Sequence, residues 1–190
     1  MTGVQTCALP ILRFGFFNGD NRTDIIRKSG NTIFVSWGAN TSWSSLITTG
    51  YSLQDLRFGD FDENGITDLF STTGALWKVS YNSNTNWQTI NTSSYQSNQL
   101  LLGWFNNNKK SDVFLANGTN FKVSYEGTSN WNTTAYSGYL TNQLFVADFN
   151  GDNISDVISP NRKVSLSGNT TWKECNTNNF PVTAFKYGNF

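Results

Sequence analysis

The sequence predicts an all-β protein built from repeated four-stranded sheets, and three observations predict it. Phe17, Phe61, Phe105 and Phe149 stand 44 residues apart, and Asp24, Asp68, Asp112 and Asp156 keep the same step. Within each step, short runs of alternating apolar residues are bounded by Asn, Gly, Ser and Thr, the pattern of strands and turns. No window carries a sustained helical period, and Pro occurs only 3 times. Four short strands in about 44 residues, repeated, are the signature of β-propeller blades. One such sheet has two faces to cover and cannot cover both alone. Radial stacking covers each face with a neighbour, so the four recurrent Phe are expected to pack between blades. A β-solenoid is the alternative repeat architecture, but its repeats are usually shorter.

The elements follow in order. Residues 1–11, MTGVQTCALPI, share nothing with the rest and resemble the in-frame translation of a sequencing-library adapter. They are set aside as non-native, and few native-like contacts are expected there. Residues 12–190 divide into repeats 12–55, 56–99, 100–143 and 144–184, with a fifth beginning at 185–190 as FKYGNF. Such an ending is expected of a fragment. Each repeat opens on a short apolar run (Leu56, Phe58, Phe61), followed by a loop rich in Asp, Asn and Gly. A second run starts at the last Asp (Asp68, Leu69, Phe70), and a turn leads to an alternating third run, Leu76 to Tyr81. A polar turn then precedes a recurrent Trp (Trp43, Trp87, Trp131, Trp172) that opens the fourth strand. Strict recurrence of these Trp points to packing between blades rather than to ligand contact.

Composition narrows the function. Lys+Arg and Asp+Glu are 13 each, so the net charge is zero, which excludes a counterion-displacing nucleic-acid binder. No apolar run approaches the roughly 20 residues of a membrane span. The absence of His removes Ser-His-Asp and Cys-His nucleophilic centres and His-ligated zinc. Two Cys, of which Cys7 lies in the adapter-like segment, make no disulfide framework. Glu63, Glu126 and Glu174 stand isolated, so no acid–base pair for glycoside hydrolysis is visible. The expectation is a non-catalytic chain.

The chemistry sits in the first loop of each repeat. In Asp60-Phe61-Asp62-Glu63-Asn64-Gly65-Ile66-Thr67-Asp68, side-chain oxygens fall at positions one, three, five and nine, and the Ile66 carbonyl at seven can complete a shell. Calcium takes six to eight such oxygens, and without a cation the acids repel one another. Position twelve is Ser71 rather than Glu, which excludes an EF-hand. Asp148, Asn150, Asp152, Ile154 and Asp156 form a second full set. In the first repeat Phe16 replaces the leading acid, leaving Asn18, Asp20 and Asp24 beside Arg22. In the third, Trp104 replaces it, leaving Asn106, Asn108 and Asp112 beside Lys109 and Lys110. No ion is expected in the third loop, where the lysines are expected to pair with Asp112. Trp104, unlike the recurrent Trp, is a candidate ligand contact. Ordinary Asx and Gly turns are the alternative reading of all four loops.

FGDFDENGITD and VADFNGDNISD resemble the FG-GAP and VCBS-type repeat, the calcium-loop blade of integrin α-subunit heads and of many secreted bacterial proteins. The FG pair stands at Phe14-Gly15 and Phe58-Gly59, shifts to Leu102-Gly103 and Val146-Ala147, and returns as Tyr187-Gly188. The resemblance covers residues 12–190. It implies a secreted or cell-surface seven- or eight-bladed propeller with structural calcium between the first two strands of a blade. It implies adhesion or recognition of a protein or glycan ligand. A lectin-like carbohydrate binder and an accessory domain of a secreted hydrolase are the alternatives. Phe16 and Trp104 depart from the family's pattern at the leading acid.

Overall fold

A computed structural model describes residues 11–175. The expectations for the start of a fifth repeat and for the adapter-like segment lie outside the described residues, except at Ile11, which is exposed and in no strand. Four antiparallel sheets of four strands each are arranged as blades of a β-propeller. The first blade holds β1 (Leu12–Gly15), β2 (Asp24–Ser29), β3 (Thr32–Ser36) and β4 (Ser44–Thr48). The second holds β5 (Arg57–Gly59), β6 (Asp68–Thr72), β7 (Leu76–Ser80) and β8 (Gln88–Thr92). The third holds β9 (Leu101–Gly103), β10 (Asp112–Ala116), β11 (Asn120–Ser124) and β12 (Asn132–Tyr136). The fourth holds β13 (Phe145–Ala147), β14 (Asp156–Ile158), β15 (Lys163–Ser165) and β16 (Lys173–Glu174). Strands run up and down in sequence order, as short hairpin connections dictate. Helical structure among the described residues is confined to single 3-10 turns.

The apolar cores lie between blades, not within them. Phe17, Ile26 and Val35 of the first blade meet Leu69 of the second, with Phe58 and Trp87 packed against them. Phe61, Phe70 and Trp77 of the second meet Val113 and Leu115 of the third, with Leu102 and Trp131 alongside. Phe105, Phe114 and Phe121 of the third meet Val157 of the fourth, with Val146 and Trp172 alongside. Each fully buried Val, Leu, Ile or Phe contributes about 1.5–3 kcal/mol, so stacking supplies most of the driving force. The first three recurrent Phe and the last three recurrent Trp behave as the repeat predicts. Phe149 does not: it is 44% exposed, against 4–6% for Phe17, Phe61 and Phe105. Trp43 is likewise exposed, with the Arg27 guanidinium over its ring at 4.8 Å. Both residues sit on the outward faces of the end blades, where no described blade covers them.

A polar lock fixes the blades near the propeller axis. The Phe16, Asp60 and Trp104 carbonyls accept the N–H of Thr67, Ser111 and Ser155 of the next blade, each at 2.6 Å. In return their N–H groups donate to the same residues' hydroxyls at 2.8–2.9 Å. The lock explains the glycine of the FG pair. A Cβ on Gly59 would lie 2.4 Å from Ser111 Oγ, and one on Gly15 would lie 2.9 Å from Thr67 Oγ1. Close approach of the next blade therefore requires Gly here.

Candidate metal centre

Each loop between the first two strands of a blade ends on a buried Asp. Asp24, Asp68, Asp112 and Asp156 are all fully buried, and all make the same two bonds. One oxygen accepts the N–H of the recurrent Phe: Phe17 at 2.8 Å, Phe61 at 2.7 Å, Phe105 at 2.7 Å and Phe149 at 2.9 Å. The other accepts from the 3-10 turn after the third strand: Gly38 at 2.7 Å, Asn82 at 2.7 Å, Glu126 at 2.8 Å and Ser167 at 2.7 Å. Those donors adopt φ between 52° and 56°, the left-handed region that non-Gly residues rarely visit. The carboxylate thus staples two loops of one blade. From the sequence this Asp reads as a metal ligand in the first, second and fourth loops and as a lysine partner in the third, not as a staple. Its presence in the third loop, beside two lysines, was the signal for a structural role.

The expected pairing of Lys109 and Lys110 with Asp112 is not what forms. Asp112 is satisfied by backbone N–H groups of Phe105 and Glu126, and the loop is held instead by Asn108, whose amide donates to Glu126 Oε1 at 2.8 Å. A buried carboxylate with two short N–H donors has no need of an exposed ammonium.

The second blade brings three acids together. Carboxylate oxygens of Asp60, Asp62 and Asp68 lie within 4.8 Å of one another, the one acidic group so gathered among the described residues. The loop winds around Asp60: Oδ1 accepts the Glu63 N–H at 2.7 Å, and Oδ2 the Gly65 N–H at 2.8 Å. Asn64 donates its amide to Asp62 Oδ2 at 3.0 Å and to Asn82 Oδ1 at 2.7 Å, while its own oxygen accepts the Ile66 N–H at 2.7 Å. Burial pushes Asp68 up to about 7, aided by the charges of Asp62 and Asp60 and opposed by the Phe61 and Asn82 N–H groups. Burial and the neighbouring Asp60 also raise Asp62. Three carboxylates crowded this closely carry uncompensated negative charge. The donor set is all oxygen, and Asp68 accepts only two of the roughly four hydrogen bonds a carboxylate can take. That chemistry fits a hard divalent cation held by Asp60, Asp62 and Asp68.

The other loops satisfy themselves differently. In the fourth, Asp148 accepts the Gly151 and Asn153 N–H groups at 2.7 and 2.9 Å. Asn150 donates its amide to Asp152, which also accepts the Ile154 N–H. Burial raises Asp156, with Asp152 and Asp148 adding to it, but the three carboxylates are not gathered as tightly as in the second loop. In the first, Arg22 donates to Asp20 Oδ2 through Nε at 3.2 Å and Nη2 at 3.0 Å, and the Asn18 oxygen accepts the Asp20 N–H. The guanidinium occupies the electrostatic role a cation would fill, and Asp20 is held below the usual carboxylate range by the Arg22 N–H bond first.

Trp104 is 38% exposed. With Phe14, Phe58, Leu102 and Val146 it lines a hollow of about 650 Å³ bordered by the first strand of all four blades. No described helix is long and apolar enough to cross a membrane. Compared with known proteins, the chain matches no family model and no curated protein.

Proposed function

We propose that this chain is a calcium-stabilised β-propeller recognition or adhesion module of the FG-GAP/VCBS type, belonging to a secreted or cell-surface protein and doing no catalysis. The observation that carries the reading is the Asp60–Asp62–Asp68 cluster at the head of a blade. Calcium there supplies positive charge that joins the loop's start to its buried end, and so stiffens a rim on which a ligand docks. The fourth loop, with Asp148, Asn150, Asp152 and Asp156, is the second candidate. Extracellular modules hold calcium at about 10⁻⁴–10⁻³ M, and at ten times the dissociation constant each site adds about 1.4 kcal/mol. Calorimetric titration of chelator-treated protein is expected to show millimolar-range calcium binding from which Asp62→Ala removes the second-loop site. A well-folded protein that takes up no calcium would refute the reading.

A carbohydrate ligand is the second reading, and the exposed Trp104 in the axial hollow favours it. An aromatic face beside polar loop groups is suited to stacking on a sugar ring. A glycan array separates the two: sugar binding lost in Trp104→Ala supports the lectin-like function, and an empty array supports a protein ligand.

A further inference from the structure

Four Asn-Gly steps occur in the chain, at Asn18, Asn64, Asn117 and Asn150, and the fold treats one of them differently. All four share a backbone, with the glycines at φ between 74° and 88°. All four also share one bond. The Asn Oδ1 accepts the N–H two residues on, from Asp20 at 3.1 Å, Ile66 at 2.7 Å, Thr119 at 3.1 Å and Asp152 at 3.0 Å. They differ at the glycine N–H. Gly65 donates to Asp60 Oδ2 at 2.8 Å, Gly118 to the Tyr139 carbonyl at 2.9 Å and Gly151 to Asp148 Oδ1 at 2.7 Å. Gly19 donates to nothing among the described residues, and Asn18 and Gly19 are both exposed. The Asn64 and Asn150 amides are tied as well, to Asp62 and Asp152. The difference at Gly19 starts in the sequence. Asn18-Gly19 and Asn150-Gly151 stand at the same loop positions, and Phe16 replaces the acceptor Asp148. In the second and fourth loops that acceptor belongs to the loop itself. The free N–H of Gly19 therefore follows from residue 16, not from what lies beside the first blade.

We propose that Asn18 is a self-modification site, at which the Gly19 nitrogen closes on the Asn18 side chain and the amide is lost as ammonia. Solvent base takes the Gly19 proton. The nitrogen attacks Asn18 Cγ and forms a Cγ–N bond, and the charge that develops on Oδ1 is held by the Asp20 N–H already aimed at it. The Cγ–Nδ2 bond then breaks, Nδ2 takes up a proton and leaves as ammonia, and a succinimide ring remains. Water opens the ring at either carbonyl. Opening at Cγ leaves aspartate. Opening at the main-chain carbonyl leaves isoaspartate, with the backbone routed through the former side chain and one methylene longer. Water enters, ammonia leaves, and nothing is oxidised or reduced. Glycine suits the attacking position because it puts no side chain in the way. In the second and fourth loops the step is suppressed. An N–H that donates to a carboxylate holds its proton, and the nearby negative charge opposes a nitrogen anion. Either product adds a negative charge to a loop in which Arg22 balances Asp20. The step needs no cation, so it stands apart from the calcium reading.

Peptide mapping by mass spectrometry tests the proposal on the full chain, incubated at neutral pH in chelator and digested at mildly acidic pH. Conversion of amide to acid at Asn18 is expected to run about tenfold or more faster than at Asn64 and Asn150, the factor that a hydrogen bond to a charged group is worth. An isoaspartate-specific methyltransferase should label the same peptide. In denaturant, where no loop is held, the four sites should convert at similar rates. Phe16→Asp restores the acceptor that Asp148 supplies in the fourth loop, and should slow Asn18 about tenfold. Asp148→Phe is the reverse exchange, and should speed Asn150 by the same factor. Asn18→Gln should remove the label from its peptide and leave the other three sites as they were. Folded protein in which Asn18 converts no faster than Asn150 would overturn the proposal. So would rates unmoved by either exchange at positions 16 and 148, in variants that keep a native thermal melt.

Discussion

Four buried carboxylates do one structural job, and one of them is placed for a second. Asp112 receives two short N–H bonds in a loop with no acidic partner. Asp112→Ala would orphan two buried N–H donors and is expected to cost about 2–5 kcal/mol, with a drop in Tm that calcium does not change. Asp62→Ala is expected to behave oppositely: little loss in chelator, and a smaller calcium-dependent rise. Thermal melts of both variants with and without calcium separate staple from ligand. The acids also predict a pH dependence. Burial, first of all, pushes Asp68 up to about 7 and Asp112 up to about 6 in the folded chain, well above the usual carboxylate range. The native state therefore binds more protons than the unfolded state between about pH 4 and 7, so stability falls as pH rises through that window. In chelator, Tm is expected to decline from pH 4.5 to 7.5, by values measured in about 0.5-unit steps. Calcium should offset the decline near pH 7 and do nothing near pH 4, where protons hold the site.

At the scale of strands and turns, the interface between blades decides which residues are tolerated. β6 and β10 are buried along their whole length because a blade lies on each side, whereas β2 alternates because one of its sides is open. Gly59 shows the constraint most sharply. A methyl there meets Ser111 Oγ at 2.4 Å, Ser111 Cβ at 2.9 Å and Leu102 Cδ1 at 3.0 Å. Gly59→Ala is expected to destabilise by about 1–3 kcal/mol, the usual cost of overpacking. Gly50→Ala, where a Cβ meets nothing within 4 Å, should stay within about 0.5 kcal/mol. Chemical denaturation of the two variants checks the pair. The Gly of FG was legible in the sequence as a recurrent residue. Its reason was not, because the hydroxyl it makes room for is 52 residues away and belongs to the next sheet.

Over the whole molecule, stability is carried by three inter-blade cores in series. Among the described residues the second and third blades have a partner on each side and the first and fourth have one. Hydrogen exchange is therefore expected to be slowest in β6 and β10 and faster in β2 and β15, as in other quasi-one-dimensional stacks. Equal protection in all four blades would mean that the outer faces of the first and fourth are covered as well. The repeat itself was fully readable: a fixed step of Phe and Asp, and period-2 runs between polar turns, determine four strands per unit and radial burial. Oxygen spacing in the loops likewise marked where a cation can sit. The second and fourth loops offer the same spacing of oxygens, but the middle acid stands at position three in the second (Asp62) and at five in the fourth (Asp152), and only the folded loop shows that Asp60, Asp62 and Asp68 gather while Asp148, Asp152 and Asp156 are not drawn in as tightly. The Asn82 side chain, which accepts from the Asn64 amide across 18 residues, reaches the second loop only after the blade has folded. Spacing along the chain determines which atoms are available; the closing of one strand upon another determines which of them meet.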